Sequence, residues 1–301
     1  MTNAPWRAIK RNVLPKLPAM LRLEERQFLY WLGQQNTGGA MVDLGTFLGA
    51  SAGCMAAGAK DAGAKGIVHT YDHFVYGPWC APYDMGPDWK SGDDTLPFVE
   101  KVLAPWKEHL QLHKGDISLK RWSGEPIDAL FVDFTQSWIH HIYVTHLFLP
   151  YLRIGGVLAH QDYVYVLCYW LHIYMEYYAD HFEPISRHIR NSTAAWRYVK
   201  PLPAQAFHHG LNEILTFSEL LALLDRSIAR YEEPWRGVLK AGRVRFFLHA
   251  LGNEAALEEL AKLEVEYKHA PNMREHLDAL AVEIPPWKVH EGPYNNYFRL
   301  S

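Results

Sequence analysis

At 301 residues, 49% hydrophobic and 21% charged, the chain has apolar material for one large domain or a domain with a smaller appendage. A net charge of -3 and a pI near 6.6 leave no electrostatic footprint for nucleic acid or an anionic membrane. Cys54, Cys80 and Cys168 are few, scattered and odd in number, which excludes a disulfide framework or a zinc motif and makes a reducing, cytoplasmic home the expectation.

Residues 1–20 carry Pro5, Pro15 and Pro18 and read as an irregular basic arm without the apolar run of a signal peptide. Leu21 to Gln34 has apolar residues near helical spacing, so a helix is expected before the first strand. Ala40 to Leu44 is a short apolar run that ends in Gly45, passes a tight loop and enters an Ala/Gly-rich helix, Ala50 to Lys60. A strand, a glycine turn and a helix N-terminus in that order let a ligand approach backbone that a side chain would block. The N–H groups opening the helix, with Ser51 near the cap, add a partial positive potential. No Gly-Lys-Ser/Thr follows, so this is not a Walker phosphate loop. Phe47 stands where a dinucleotide fingerprint needs its middle glycine, which argues for a ligand without a pyrophosphate.

Ile67 to Asp72 reads as a second strand ending in a carboxylate. An acid there, roughly 20–30 residues past the glycine turn, is where a Rossmann-like fold bonds ribose hydroxyls. His73 to Gly92 is Gly/Pro/aromatic-rich and aperiodic; its Trp79, Tyr83 and Trp89 suit either a substrate cover or plain packing. A helix is expected over Thr95 to Lys107 and a third strand over His109 to His113, running into Gly115-Asp116. Ile127 to Asp133 is nearly continuously apolar, as a strand buried on both faces should be. Then come a helix over Trp138 to Leu152, a turn at Arg153 to Gly156, and a fifth strand from Gly156 to Tyr163. Val164 to Tyr178 reads as a buried aromatic helix, its length of about 15 residues falling short of the ~20 that span a bilayer. Phe182 to Arg187 and Ala194 to Val199 are paired strands; Leu211 to Glu283 reads as about four helices. In that tail Thr216-x-x-Glu219 is a capping box, Pro234 suits a first helical position, and Pro271 marks a break. Pro285, Pro286 and the Tyr/Asn-rich end read as irregular.

Asp43-x-Gly45-x-x-x-Gly49, in the wording DLGTFLGAS, resembles the first motif of class I S-adenosylmethionine (SAM) methyltransferases, in the macrocin-type and catechol-like O-methyltransferase branch. A second stretch, IDALFVDFTQSW…LPYLRIGGVLAHQDY, matches the same pattern at the correct separation. The resemblance spans roughly residues 20–200. It implies a Rossmann-like, doubly wound, seven-stranded, mostly parallel sheet closed by an antiparallel hairpin, with a C-terminal helical extension. The domains follow as 1–205 for SAM binding and 206–301 for the helices, which brace the sheet, form a dimer contact or cover the site. No residue of the tail is assigned chemistry.

The resemblance further implies a cofactor site of Asp43, Gly45, Thr46, Phe47, Gly49, Ser51, Asp72, His73, Asp116 and Asp133. Methyl transfer to a hydroxyl needs a base or a metal. Asp133 and Asp162 occupy the positions that hold Mg²⁺ in the branch, so Mg²⁺ joins SAM as a candidate. The chain departs from the branch at Thr135, where a second acid is common, and at Gln161. His160, with His140 and His141 behind it, is the alternative base; Asp133 completes the catalytic set. Nine of the 17 histidines lie between His140 and His209, so sensitivity to pH near 6–7 is expected. Arg187, Arg190 and Arg197 suit an anionic acceptor or simply a solvated hairpin. The expected partners are a small-molecule acceptor (sugar, glycan precursor or phenol) and a second copy of the chain, not nucleic acid or membrane. Two other readings stay open: a scaffold of the same fold that has lost catalysis, and a nucleotide-dependent oxidoreductase or iron/2-oxoglutarate hydroxylase. Phe47 and the lack of a His-x-Asp…His triad count against the last two.

Overall fold

The structure is a computed structural model that describes residues 4–122, 124–134 and 137–284. Thr135 and the Pro285, Pro286 terminus fall outside the described residues. Among those described, the chain clusters into two compact units: 4–134 with 146–161 and 182–201, and 137–145 with 162–181 and 202–284. The second unit thus takes in two segments upstream of residue 206 besides the tail.

The first unit is built on seven strands: β1 Ala40–Leu44, β2 Val68–Asp72, β3 Leu110–Lys114, β4 Ile127–Val132, β5 Leu152–His160, β6 Phe182–Ile189 and β7 Thr193–Tyr198. Their order is β3-β2-β1-β4-β5-β7-β6. The first five are parallel, and β7 joins β5 and β6 antiparallel. The expected sheet and closing hairpin are therefore present. Strand order reverses between β1 and β4, and in open parallel sheets a ligand crevice lies beyond the carboxyl ends at such a switch point. β1 and β4 are buried at every position, which explains their unbroken apolar runs.

Helices α1 (Leu23–Gln34) and α2 (Ala50–Asp61) cover the sheet and cross closely. A Cβ at Gly33 would overlap the Met55 carbonyl oxygen, and one at Gly58 the Tyr30 carbonyl oxygen, so the crossing depends on this pair. The basic arm is less loose than expected: Trp6 is buried and its ring meets Phe28 at 5.2 Å and Trp31 at 5.5 Å. Helix α3 (Leu96–Leu103) stops short of Lys107 because Pro105 lacks the N–H to continue it, and a 3-10 turn over Ala104–His109 takes over. The expected turn at Arg153 to Gly156 lies instead inside β5. Ile127 pairs with Leu152 and Ala129 with Val157, so four residues of β5 (153–156) stand opposite one of β4 (Asp128), and Gly155 takes φ +84° in the bulge.

The second unit is helical: most of α4 (Trp138–Leu147), then α5 (Tyr169–Tyr177), α6 (Leu211–Ile214), α7 (Phe217–Ala229), α8 (Trp235–Leu251), α9 (Asn253–Glu266) and α10 (Pro271–Glu283). α4 ends five residues early, before a 3-10 turn carrying Pro150, and α5 starts five residues late. The Thr216 capping box is formed, Glu219 accepting from the Thr216 N–H at 2.8 Å while its own N–H donates to Thr216 Oγ1 at 3.4 Å. Pro234 is the cap before α8, one position outside the helix, and Pro271 is the first residue of α10. A core of Val166, Val238, Ala241, Val244, Leu260 and Leu277 holds this unit. No helix among the described residues is long and apolar enough to cross a membrane.

Candidate cofactor site

Parallel pairing sets Leu44 beside Tyr71 and Val132, Val132 beside His160, and Asp72 beside Lys114. Gly45, Asp72, Asp116, Asp133 and His160 therefore share one edge of the sheet, the carboxyl edge. The turn after β1 is bound to the end of β2. Asp72 Oδ2 accepts from the Phe47 N–H at 2.8 Å and Oδ1 from the Phe74 N–H at 2.7 Å. Each carboxylate oxygen has two lone pairs, so one per oxygen remains beyond these backbone bonds. Phe47 takes φ +52°, a conformation that a bulky residue rarely adopts without support, and the bond to Asp72 supplies that support.

Gly45 takes φ +98°, yet the space beside it is filled by protein. A Cβ there would overlap the Asp133 carbonyl oxygen, and the Asp133 N–H donates to Leu44 O at 2.7 Å. The glycine thus lets the chain leaving β4 close onto the turn. Gly49, φ +96°, is the residue before α2, with Leu103 against it. Ser51 makes no cap; its hydroxyl donates to Asp43 Oδ2 at 2.9 Å.

Asp43 is fully buried beneath the turn. Thr70 Oγ1 donates to the same Oδ2 at 2.6 Å, Thr46 bonds Thr70, and Oδ1 has no hydrogen-bond partner among the described residues. Burial raises its pKa to about 7; the Thr70, Ser51 and Thr46 hydroxyls oppose the rise and the Asp72 charge adds to it. Sequence reasoning named Thr46 but missed Thr70, which precedes Asp72 by two positions.

His73 is exposed beside Asp72. Asp116 opens the 3-10 turn after β3, accepting from the Ser118 N–H at 2.8 Å and its hydroxyl at 2.7 Å. The aromatic loop is closed at its base: the Tyr76 N–H donates to Asp93 O at 2.8 Å, and the Thr95 N–H to Phe74 O at 2.9 Å. Trp89 is packing, stacked on Tyr76 at 5.7 Å. Tyr83 meets Phe47 of the turn edge-on at 5.4 Å, and Trp79 is 57% exposed.

His160 is buried with its ring edge-on to Trp196 at 6.3 Å, and Gln161 Nε2 donates to Ser192 Oγ at 3.2 Å. In the second unit, His141 is buried against Tyr174 at 4.6 Å, and burial lowers its pKa to about 3. The His140 N–H reaches Ser137 Oγ at 3.3 Å. Asp162 opens the other segment of that unit at φ +58°. Among the described residues, no group of three or more His, Cys, Asp or Glu side chains is placed to hold a metal ion.

A second polar cluster lies at the opposite edge. Asp128 Oδ2 accepts from the Thr37 N–H and hydroxyl, both at 2.9 Å, from Asn36 Nδ2 at 3.1 Å and from the Gly39 N–H at 3.2 Å. Arg153 Nε donates to Oδ1 at 2.5 Å. Burial opposes ionisation there, but the Thr37 and Arg153 bonds outweigh it and hold the carboxyl below its usual range. An acid inside the apolar β4 run was the available sign of this cluster. A cavity of about 130 Å³ beside it, lined by Trp31, Gln35, Arg153 and Arg197 among others, lies away from the carboxyl edge.

A family model described as a methyltransferase domain matches residues 42–163, the segment that carries the turn, Asp72 and the exit of β5. That match covers less than half of the chain and runs from β1 through the exit of β5. No curated protein matches the chain. Among solved structures it is similar to the O-methyltransferase NovP, at 14% identity over 60% of this chain and 82% of that one, TM-score 0.48. It is also similar to the calicheamicin methyltransferase CalS11, at 15% identity over 58% and 77%, TM-score 0.43. A third is the Bacillus cereus O-methyltransferase in complex with SAH, at 15% identity over 64% and 93%, TM-score 0.43.

Proposed function

We propose that the chain moves the methyl group of SAM onto a hydroxyl of a small acceptor: a sugar, a glycan precursor or a phenol. The observation that carries this reading is the bond from the Phe47 N–H to Asp72, which joins turn and acid into one preformed cradle. The cofactor supplies an electrophilic methyl on a sulfonium. Asp72 accepts ribose hydroxyls on its remaining lone pairs, already oriented by two backbone bonds and so needing little rearrangement. Thr46, Phe47 and Gly49 line the turn, His73 and Asp116 flank the nucleoside, and the Asp43 Oδ1, buried without a partner among the described residues, fits a donor delivered from the ligand side.

His160, at the end of β5, is the base assigned to the acceptor hydroxyl, with Asp133 following the end of β4. His141 ranks below His160, because an imidazole held near 3 by burial is a weak proton acceptor.

Calorimetry with SAM, S-adenosylhomocysteine (SAH), NAD and NADP tests the cofactor, and only the first two are expected to bind. SAM turnover across sugars and phenols tests the acceptor, and the same assay with and without EDTA tests whether turnover needs Mg²⁺. Asp72→Ala is expected to weaken SAM at least tenfold, about 1.4 kcal/mol, and unaltered affinity in that variant would remove the cradle from the reading.

A further inference from the structure

Within the helical unit, one buried imidazole is bonded at both nitrogens. His172 of α5 is 1% exposed. Its Nε2 lies 2.7 Å from the Tyr163 carbonyl oxygen and its Nδ1 lies 2.9 Å from Ser227 Oγ on α7. A carbonyl only accepts, so Nε2 carries the proton, and Nδ1 accepts from the Ser227 hydroxyl. The Tyr163 ring, itself buried, lies 4.0 Å from the imidazole. Tyr163 is therefore gripped by both its ring and its carbonyl. The residue before it is Asp162, at φ +58°, left-handed backbone that needs surrounding structure to hold it.

The support extends along α5 and α7. One turn beyond His172, Glu176 receives two bonds of 2.8 Å from Arg230, with Arg226 at 3.5 Å. Tyr231 sets its ring edge-on to His172 at 6.0 Å. Burial keeps the imidazole neutral, with a pKa of about 4, despite the Tyr163 carbonyl and Glu176, so the tautomer that donates to Tyr163 persists at neutral pH.

We propose that His172, oriented by Ser227, is the positioning residue that holds the Tyr163 backbone and, through it, the left-handed turn at Asp162. The clamp stands on these distances and not on the methyltransferase reading.

The test uses the full chain with His172→Phe, which keeps ring bulk but neither bond, His172→Gln, whose amide can still donate to the carbonyl, and Ser227→Ala. Amide hydrogen exchange is followed by mass spectrometry. His172→Phe is expected to speed exchange at least tenfold over residues 161–166, leaving 235–266 unchanged, and His172→Gln to restore most of the protection. SAH affinity stays within twofold in all three, and in the unaltered protein the His172 ¹⁵N shifts show Nε2 protonated from pH 6 to 8. Equal loosening across 235–266, no change at 161–166, or no rescue by glutamine overturns the proposal. Should His172→Phe fail to fold, Ser227→Ala reads the same peptide, with at least threefold faster exchange expected and no change decisive against it. If the unaltered protein does not bind SAH, the methyltransferase reading fails, while the exchange data still judge the clamp.

Discussion

The two units bury titratable groups in different proportion. In the sheet unit Asp43 is pushed up to about 7 while His113 is pushed down to about 4, both chiefly by burial. In the helical unit His141, His172 and His249 are lowered to about 3, 4 and 4, again chiefly by burial. The difference teaches that one physical cause gives the units different responses to acid. A raised acid contributes stability that is complete below its unfolded value of 3.8 and is lost as pH rises through 7. A lowered histidine contributes stability that is present above 6.5 and is lost as pH falls through about 4. In the sheet unit the Asp43 slope opposes that of His113, and burial lowers His69 and His188 as well; in the helical unit the three histidines run together against Asp225, which burial raises.

The largest expected effect follows directly. Between pH 6.5 and 4 the helical unit loses on the order of 3 kcal/mol per buried histidine. Hydrogen exchange at pH 7 and pH 5 is expected to show protection lost in α5, α7 and α8 before β1 and β4. Simultaneous loss in both units would break the contrast. Gly45→Ala comes next, costing about 3 kcal/mol of the sheet unit's stability, since a methyl group must coexist with the Asp133 carbonyl at positive φ. Denaturant unfolding reads it, and a near-neutral result would deny that the β4 exit closes on the turn.

Asp43→Asn sharpens the same contrast by removing one of the opposed slopes. With the lowered histidines His69, His113 and His188 left unopposed, the sheet unit is expected to become acid-labile between pH 6.5 and 4, as the helical unit is, by about 2–3 kcal/mol. A flat profile in this variant would mean that Asp43 never set the balance. The smallest effect is at Thr216→Ala, which removes the cap of α7 and costs about 1 kcal/mol, confined to the helical unit.

Much of the sheet was legible in the chain because strands buried on both faces leave unbroken apolar runs. β1 has the expected bounds, and β2 and β4 differ from expectation by one residue. The errors have local causes: Pro105 cut a helix short, and a bulge at Gly155 made a strand look like a turn. The cradle was legible in part. The placing of Gly45 and Asp72 signalled the turn and its acid, but spacing alone does not tell whether a glycine makes room for ligand or for neighbouring backbone. Ser51 is the same lesson, a residue of capping type that serves Asp43 instead. His172 left no signal beyond an apolar aromatic helix, because its partners lie 9 and 55 positions away in sequence.

The cluster at Asp128 has one more consequence. Thr37-Gly38-Gly39 looks like an easy target for a protease, which must draw several extended residues into its cleft. Four donors from Asn36, Thr37 and Gly39 end on one carboxylate inside the sheet. That loop cannot be lifted without pulling on β4, so cleavage there must wait for the sheet itself to open.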